Sequence, residues 1–302
     1  MKARERYLTD TIHLRDGGIT FWVLVDSPSD EPLCACETYN HKKGLVKAPG
    51  QPLKEVPVLG IASVFTPAKN RGKGYAATMM KMLADKIKTE KVAGFSVLWS
   101  DVGPNFYVKR GGWMPADGTQ VVFPSTMNFD EDVPLVKLTL EQAKAIMEVD
   151  VESIKQKMAH LETDNTIIRM VPQHAELEWC VTRDRYMAKH MNVNQSEHVG
   201  AFICSGSDKG YVLWFHEWKD SALIALRFQE PATEREARGL LRALVDEARA
   251  TGLKTIAIWS PSDRIEKLTG VNRSERDQSL PAVLYFGDAS VHWENPEKLS
   301  WC

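Results

Sequence analysis

Long hydrophobic runs are missing from this chain: no apolar stretch approaches the ~18 residues of a membrane-crossing helix. The opening Met1-Lys2-Ala3-Arg4-Glu5-Arg6 leads into polar sequence unlike a secretory signal. The expectation is a cytoplasmic protein with no membrane partner. Cysteine is scarce, five in 302 residues at positions 34, 36, 180, 204 and 302. An odd number without zinc spacing predicts reduced thiols. Cys34-x-Cys36 would share one face of a strand and reads as packing, and Cys302 is terminal rather than fourth from the end, which excludes prenylation. An excess of one charge sign is missing too. A formal net charge of −2 and a pI of ≈ 6.5 give no drive toward nucleic acid or anionic membrane, so no nucleic-acid partner is expected. The histidines are scattered, with no His-x-x-x-His pair and no Gly-x-Ser-x-Gly elbow. Metal and serine-hydrolase chemistry therefore have no foothold.

What is present is a strand, a loop with little side-chain bulk and a helix. Residues 57–65 are apolar, Pro67 turns the chain, and Arg71-Gly72-Lys73-Gly74-Tyr75-Ala76 runs into a helix. Backbone N–H groups can converge there on phosphate oxygens at a helix N-terminus, where the dipole also favours negative charge. Gly72 and Gly74 permit close approach, and Arg71 and Lys73 add positive charge. The spacing fits neither a P-loop nor a Gly-x-Gly-x-x-Gly dinucleotide site. Ala76, Met79, Met80, Leu83 and Ile87 give the helix one apolar face. Residues 95–99 form a short β-prone run, and residues 100–104 end it and open a second helix near Asn105. Such a crossover makes the two strands parallel neighbours.

The loop matches Arg/Gln-x-x-Gly-x-Gly/Ala, and with Thr66-Pro67 and Lys69-Asn70 around it the segment resembles the acyl-CoA motif of the GNAT N-acetyltransferase superfamily. Phe106-Tyr107-Val108-Lys109-Arg110-Gly111-Gly112-Trp113 is similar to its Phe-Tyr-x-x-x-Gly-Phe/Trp element. The resemblance implies that the two parallel strands splay apart and that acetyl-CoA, a co-substrate used without a metal, lies between them. The backbone of Ser63, Val64 and Phe65 would follow the pantetheine arm. The loop from Arg71 to Ala76, with Thr78 and Asn105, would complete the cofactor contacts. Tyr107 would protonate the departing thiolate, and Asp101 or Glu37 would be the base, each equally readable as a surface or capping carboxylate. The whole pattern, including Leu299-Ser300-Trp301-Cys302, resembles the fungal L-lysine N6-acetyltransferases most, sharply between Leu59 and Trp113. That implies acetyl transfer to the ε-amine of free lysine by direct attack. A protein N-acetyltransferase and a weakened acetyl-CoA binder are the alternatives. GNAT domains begin with a strand and two helices, whereas about twenty residues precede Phe21 here, which puts the acceptor pocket in question.

The chain length predicts two domains. Residues 20–25 and 33–39 read as strands, residues 44–57 as a loop, and a strand near 120–123 precedes an acidic stretch at 128–132. The second half repeats the first at an offset of about 160: residues 95–100 align with 255–260, and the Ala76/Met80/Leu83/Ile87 face with Ala237/Leu241/Leu244/Ala248 to within one residue. Three strands, at 199–204, 210–215 and 221–228, precede that helix. At the same offset Gly72 becomes Ala232, Gly74 becomes Glu234 and Tyr107 becomes Lys267. Thr233 and Glu236 there spell a capping box. The expected fold is therefore α/β with mixed sheets: a GNAT catalytic domain at 1–133 that binds acetyl-CoA, followed by a degenerate GNAT-like domain at 134–302. One cofactor site per chain and a small-molecule amine as partner follow.

Overall fold

The computed structural model describes residues 17–27, 29–194, 196–204, 210–287 and 290–301; Cys302 and the first sixteen residues lie outside that set. Strands β1 (Ile19–Asp26), β2 (Glu31–Lys47) and β3 (Lys54–Phe65) form an antiparallel meander. Helix α1 (Tyr75–Glu90) then crosses to β4 (Phe95–Ser100), which runs parallel to β3. Met79, Met80, Leu83, Ala84 and Ile87 of α1 are buried against the sheet, the four larger side chains each contributing about 1.5–3 kcal/mol. The short helix α2 (Asn105–Gly111) packs beside α1.

After α2, strand β5 (Met114–Pro115) is the last of this stretch in the first sheet; β6 (Thr119–Pro124), β7 (Leu135–Leu138), helix α3 (Leu140–Ala159), β8 (Thr166–Met170) and helix α4 (His174–Met191) follow. Strands β9 (Gly200–Ile203), β10 (Tyr211–Glu217) and β11 (Ala222–Gln229), helix α5 (Glu234–Ala250), β12 (Thr255–Trp259) and helix α6 (Asp263–Thr269) repeat the order of the first half. The chain ends with β13 (Ser274–Glu275), β14 (Leu280–Tyr285) and β15 (Val291–Trp293). The repeat extends to pairing: β9, β10 and β11 are antiparallel neighbours, and β11 and β12 are parallel. Ala237, Leu241, Leu244 and Ala248 line the buried face of α5, and Thr233 and Glu236 close a reciprocal capping box at its start.

Two mixed sheets result among the described residues, with the orders β15-β8-β2-β3-β4-β14-β5 (β1 adding to β2) and β13-β6-β12-β11-β10-β9-β7. They exchange strands. β6 pairs antiparallel with β12 in the second sheet, while β14 travels back to pair antiparallel with β4 in the first. Strands thus cross a division after residue 133 in both directions. Residues 44–57, expected as a loop, instead extend both strands: β2 runs on to Lys47 and β3 starts at Lys54, with Gly44 opposite Val56 and Val46 opposite Lys54. The cause is that this end of β2 is covered on both faces, adjacent Leu45 and Val46 both being buried, while β8 pairs along its edge; no alternation marks it among the prolines and lysines.

Candidate active site

The two parallel strands of the first half come apart. Pairing of β3 with β4 begins at Val58–Phe95 and stops at Ile61–Leu98, although β3 continues to Phe65 and β4 to Ser100. Two features hold the wedge open. On one side β4 is drawn toward β14, with Ser100 opposite Leu280. On the other side β3 bulges against β2: Ala62 faces Glu37 and Phe65 faces Ala35, so two residues of β3 stand against one of β2. Ser63 lies in that bulge with φ +54°, a left-handed conformation uncommon for a non-glycine residue.

The bulge also organises a carboxylate. Ser63 Oγ donates to Glu37 Oε1 at 2.5 Å, and the Tyr39 hydroxyl donates to the same oxygen at 3.4 Å. Glu37 is thereby fixed, half-buried, beside the opening. The sequence named Glu37 and Ser63 separately; only a bulge, which has no sequence signature here, brings them together. Val64 packs on the apolar cluster under the wedge, while Phe65 is exposed.

Beyond Phe65 the chain makes a turn anchored by side chains. Thr66 Oγ1 lies 3.3 Å from Cys34 Sγ, the Arg71 Nε donates to the Thr66 carbonyl at 3.1 Å, and buried Asn70 Nδ2 donates to the Pro32 and Leu33 carbonyls. Lys69 pairs with Glu31 across the turn. Gly72 and Gly74 have φ of +76° and +83°, and a Cβ built on either meets nothing within 4 Å. The glycines therefore serve backbone conformation and leave open space above the loop. Gly74 is the residue ahead of α1, whose first backbone bond runs from Thr78 N–H to the Gly74 carbonyl. The N–H groups of Lys73, Tyr75 and Ala76 precede that bond and have no backbone acceptor among the described residues. With Lys73 and Arg71 exposed on the same loop, the cradle fits a diphosphate. Thr78, exposed on the first turn of α1, donates from Oγ1 to the Gly74 carbonyl.

Tyr107 is buried below the wedge, in one cluster with Cys34, Cys36, Met79 and Trp113. Burial, with Asp101, Cys36 and Cys34 adding to it, pushes the phenol up to about 12. Its hydroxyl therefore keeps its proton at neutral pH. Cys36 in the same cluster is likewise pushed up to about 12, by burial first. The position of Tyr107 depends on the residues after it: the Trp113 ring lies where a Cβ on Gly111 would sit, 2.0 Å away, and Trp113 Nε1 donates to Ser96 Oγ inside the sheet. Asn105 is the exposed first residue of α2. Asp101, exposed after β4, accepts the Ser279 backbone N–H at 2.8 Å and so ties the end of β4 to the strand returning from the far end of the chain.

The second half lacks the glycine loop and the buried phenol. Where Gly74 stands in the first, Glu234 begins α5, and its carboxylate pairs at 3.1 Å with Lys267, the residue at the Tyr107 position. A capped helix with a surface ion pair replaces the open loop and the buried phenol. Residues 120–302 match the family described as the LYC1 GNAT-like C-terminal domain. The chain belongs to that family. This membership bears out the resemblance drawn from residues 57–113 and agrees with tandem GNAT-like sheets. A protein of Yarrowia lipolytica named lysine acetyltransferase is 25% identical over 338 aligned positions, covering 89% of this chain and 84% of that protein. An uncharacterised Saccharomyces cerevisiae protein is 24% identical, covering 88% of this chain and 76% of that one. A crystal structure of a GCN5-related N-acetyltransferase from Kribbella flavida has the same fold, with a TM-score of 0.56 at 16% identity over 94% of this chain. The chain spans 65% of the length of that structure. Among the described residues no group of three or more His, Cys, Asp or Glu is placed to hold a metal ion, and no helix is long and apolar enough to cross a membrane.

Proposed function

We propose that this chain, acting in the cytoplasm, transfers the acetyl group of acetyl-CoA to a primary amine of a small molecule, the ε-amine of free L-lysine being the leading acceptor. The observation that carries the reading is the wedge between β3 and β4, with an open diphosphate cradle at its mouth, Glu37 held on one flank by Ser63 and Tyr107 buried beneath it. The named Yarrowia relative supports lysine as acceptor.

An ammonium near pKa 10 must lose a proton before it attacks a thioester. Glu37 takes it, directly or through water, and the Ser63 hydroxyl keeps the carboxylate oriented. The amine then attacks the acetyl carbonyl, and the backbone of the bulge, which β4 leaves unpaired from Ala62 to Phe65, faces the developing oxyanion. Collapse expels the thiolate, which takes the Tyr107 proton, and the second proton that the nitrogen loses as the amide forms restores the phenol. Burial holds Tyr107 up to about 12, so the phenol still carries its proton when the thiolate forms. Holding amine and thioester in one wedge removes the entropic cost of a bimolecular encounter, and no covalent intermediate is required. Thiol release from acetyl-CoA against a panel of free amines and peptides, lysine first, tests the reading. Turnover with lysine and not with peptides is the expected result. Turnover with peptides alone would replace it with protein acetylation.

A further inference from the structure

The second half has lost the diphosphate loop but kept the wedge. Pairing of β11 with β12 stops at Ala225–Ile258, although β11 continues to Gln229 and β12 to Trp259. A cavity of ≈ 250 Å³ fills this split, and Trp293 and Glu297, from the C-terminal segment whose strand β15 belongs to the first sheet, close it. That volume lies just below the ~300–1,000 Å³ of pockets for drug-sized ligands and suits a metabolite.

Its polar lining is of two kinds. Two donors have nothing to donate to: Trp293, only 2% exposed, has an indole N–H without an acceptor, and the buried Ser260 Oγ also lacks a partner. A buried unpaired donor is destabilising, and a ligand acceptor would relieve it. On the other side the carboxylates outnumber their cations. Glu297 is engaged by Arg227 NH1 at 2.6 Å, and Arg227 Nε also reaches Asp150 at 2.5 Å. Among the described residues Glu230 pairs with Arg264 NH1 at 4.0 Å, a nitrogen that also donates to the Pro231 carbonyl at 2.7 Å, while Arg264 Nε and NH2 are buried without a partner. Asp117, exposed at the rim and within the field of buried Arg276, is the third lining carboxylate, against the one lining guanidinium of Arg227. Leu226, Phe228 and Trp259 supply apolar wall between the two ends.

We infer that this retired wedge is a binding site for a small primary ammonium carrying a hydrogen-bond acceptor a few atoms away, as in an α-amino acid. The ammonium sits at Glu230 and Asp117, and the acceptor takes the Trp293 and Ser260 protons. The site is separate from the acyl-transfer wedge, and Trp293 touches Trp99 of β4 edge-on, with ring centroids 5.4 Å apart. Its occupant therefore contacts a residue that also packs on a wall of the first wedge.

The full chain is titrated by calorimetry with L-lysine, Nε-acetyl-L-lysine, pentylamine and hexanoate. The two amino acids are expected to bind, more tightly than pentylamine, and hexanoate not at all; whichever amino acid binds tighter identifies acceptor or product as the source. Glu230→Gln should weaken binding at least tenfold, and Ser260→Leu, which fills the cavity, should abolish it, with acetyl-CoA affinity unchanged within twofold as the control for folding. Glu37→Gln separates this site from the acyl-transfer wedge, because amino-acid binding here survives it. Absence of heat with both amino acids, or binding lost in Glu37→Gln and untouched by Glu230→Gln, overturns the inference and leaves the proposed transfer reaction standing.

Discussion

The retired half supplies the substitution that tests the active one. Glu234 occupies the Gly74 position, so Gly74→Glu copies a change already present in this fold. Two costs must be separated. Any Cβ at position 74 is forced into φ +83°, which costs about 1–2 kcal/mol, and meets no atom within 4 Å, so no packing penalty adds to it. Gly74→Ala isolates that cost. In a protein of this size it lowers Tm by roughly 2–4 °C per kcal/mol and leaves the diphosphate cradle uncharged. Gly74→Glu has the same backbone strain and also brings a carboxylate to a bound diphosphate. A unit pair 4 Å apart repels by about 4 kcal/mol at an effective dielectric of 20. The loop is exposed, so screening reduces this to about 1.5–3 kcal/mol, roughly 10- to 150-fold in Kd. Calorimetric titration with acetyl-CoA and thermal melts of both variants decide it. Equal acetyl-CoA affinity in the two would mean that no diphosphate sits on this loop.

Tyr107→Phe should lower kcat by 10-fold or more while leaving acetyl-CoA affinity within twofold; full turnover in that variant removes the phenol from the mechanism. Glu37→Gln should lower kcat/KM and flatten its acid limb, whereas Asp101→Asn should not change the pH profile, because Asp101 holds the Ser279 N–H; a reversed pattern would make Asp101 the base. In the second sheet, burial alone would lower buried His216, but hydrogen bonds to Asp184 at 2.6 Å and Glu247 at 3.2 Å overcome it and push it from the ordinary 6.5 up to about 9. A raised folded-state value stabilises fully below pH 6.5 and is lost as pH rises through 9, a span equivalent to roughly 3 kcal/mol. Chemical denaturation of the wild type and His216→Gln should therefore show a stability difference that shrinks across that window, other titrating groups such as Lys298 cancelling in the comparison. A pH-independent difference would show that His216 is neutral in the fold.

What the sequence made legible was local. The glycine loop was readable because positive φ and a helix start demand particular residues, and Gly111 because Trp113 needs the space of a missing Cβ. The repeat was readable because two apolar helix faces and two strands kept their spacing. The exchange of strands was not, since neither the partly alternating β6 nor the continuously apolar β14 carries any mark of the sheet it joins, and pairing partners lie more than a hundred residues apart. Helices α3 and α4 went unread because they carry broken stripes, with Asp150, Glu176 and Asp184 turned inward to buried partners. Buried charge of this kind defeats any reading that sorts polar residues to the outside.

The exchange explains why a half without a cofactor loop persists. Strand β4 is one wall of the active wedge, and its outer edge is covered over six register pairs by β14, from the far end of the chain. Without β14 that edge would expose a row of unpaired N–H and C=O groups. Val97 and Trp99 on the same strand also pack against Val283 and Trp293. The dependence is mutual, because β12, the matching wall of the second wedge, is covered by β6. A fragment of residues 1–133 should therefore leave β4 uncovered and lose cooperative unfolding and acetyl-CoA binding, and residues 134–302 added in trans should restore both by returning β14, β8 and β15 to the first sheet. Near-UV circular dichroism and calorimetry of the fragment, alone and mixed, test this. A cooperatively folded 1–133 that binds acetyl-CoA unaided would show that the wedge stands without the exchanged strand, and the second half would then need another reason to be retained.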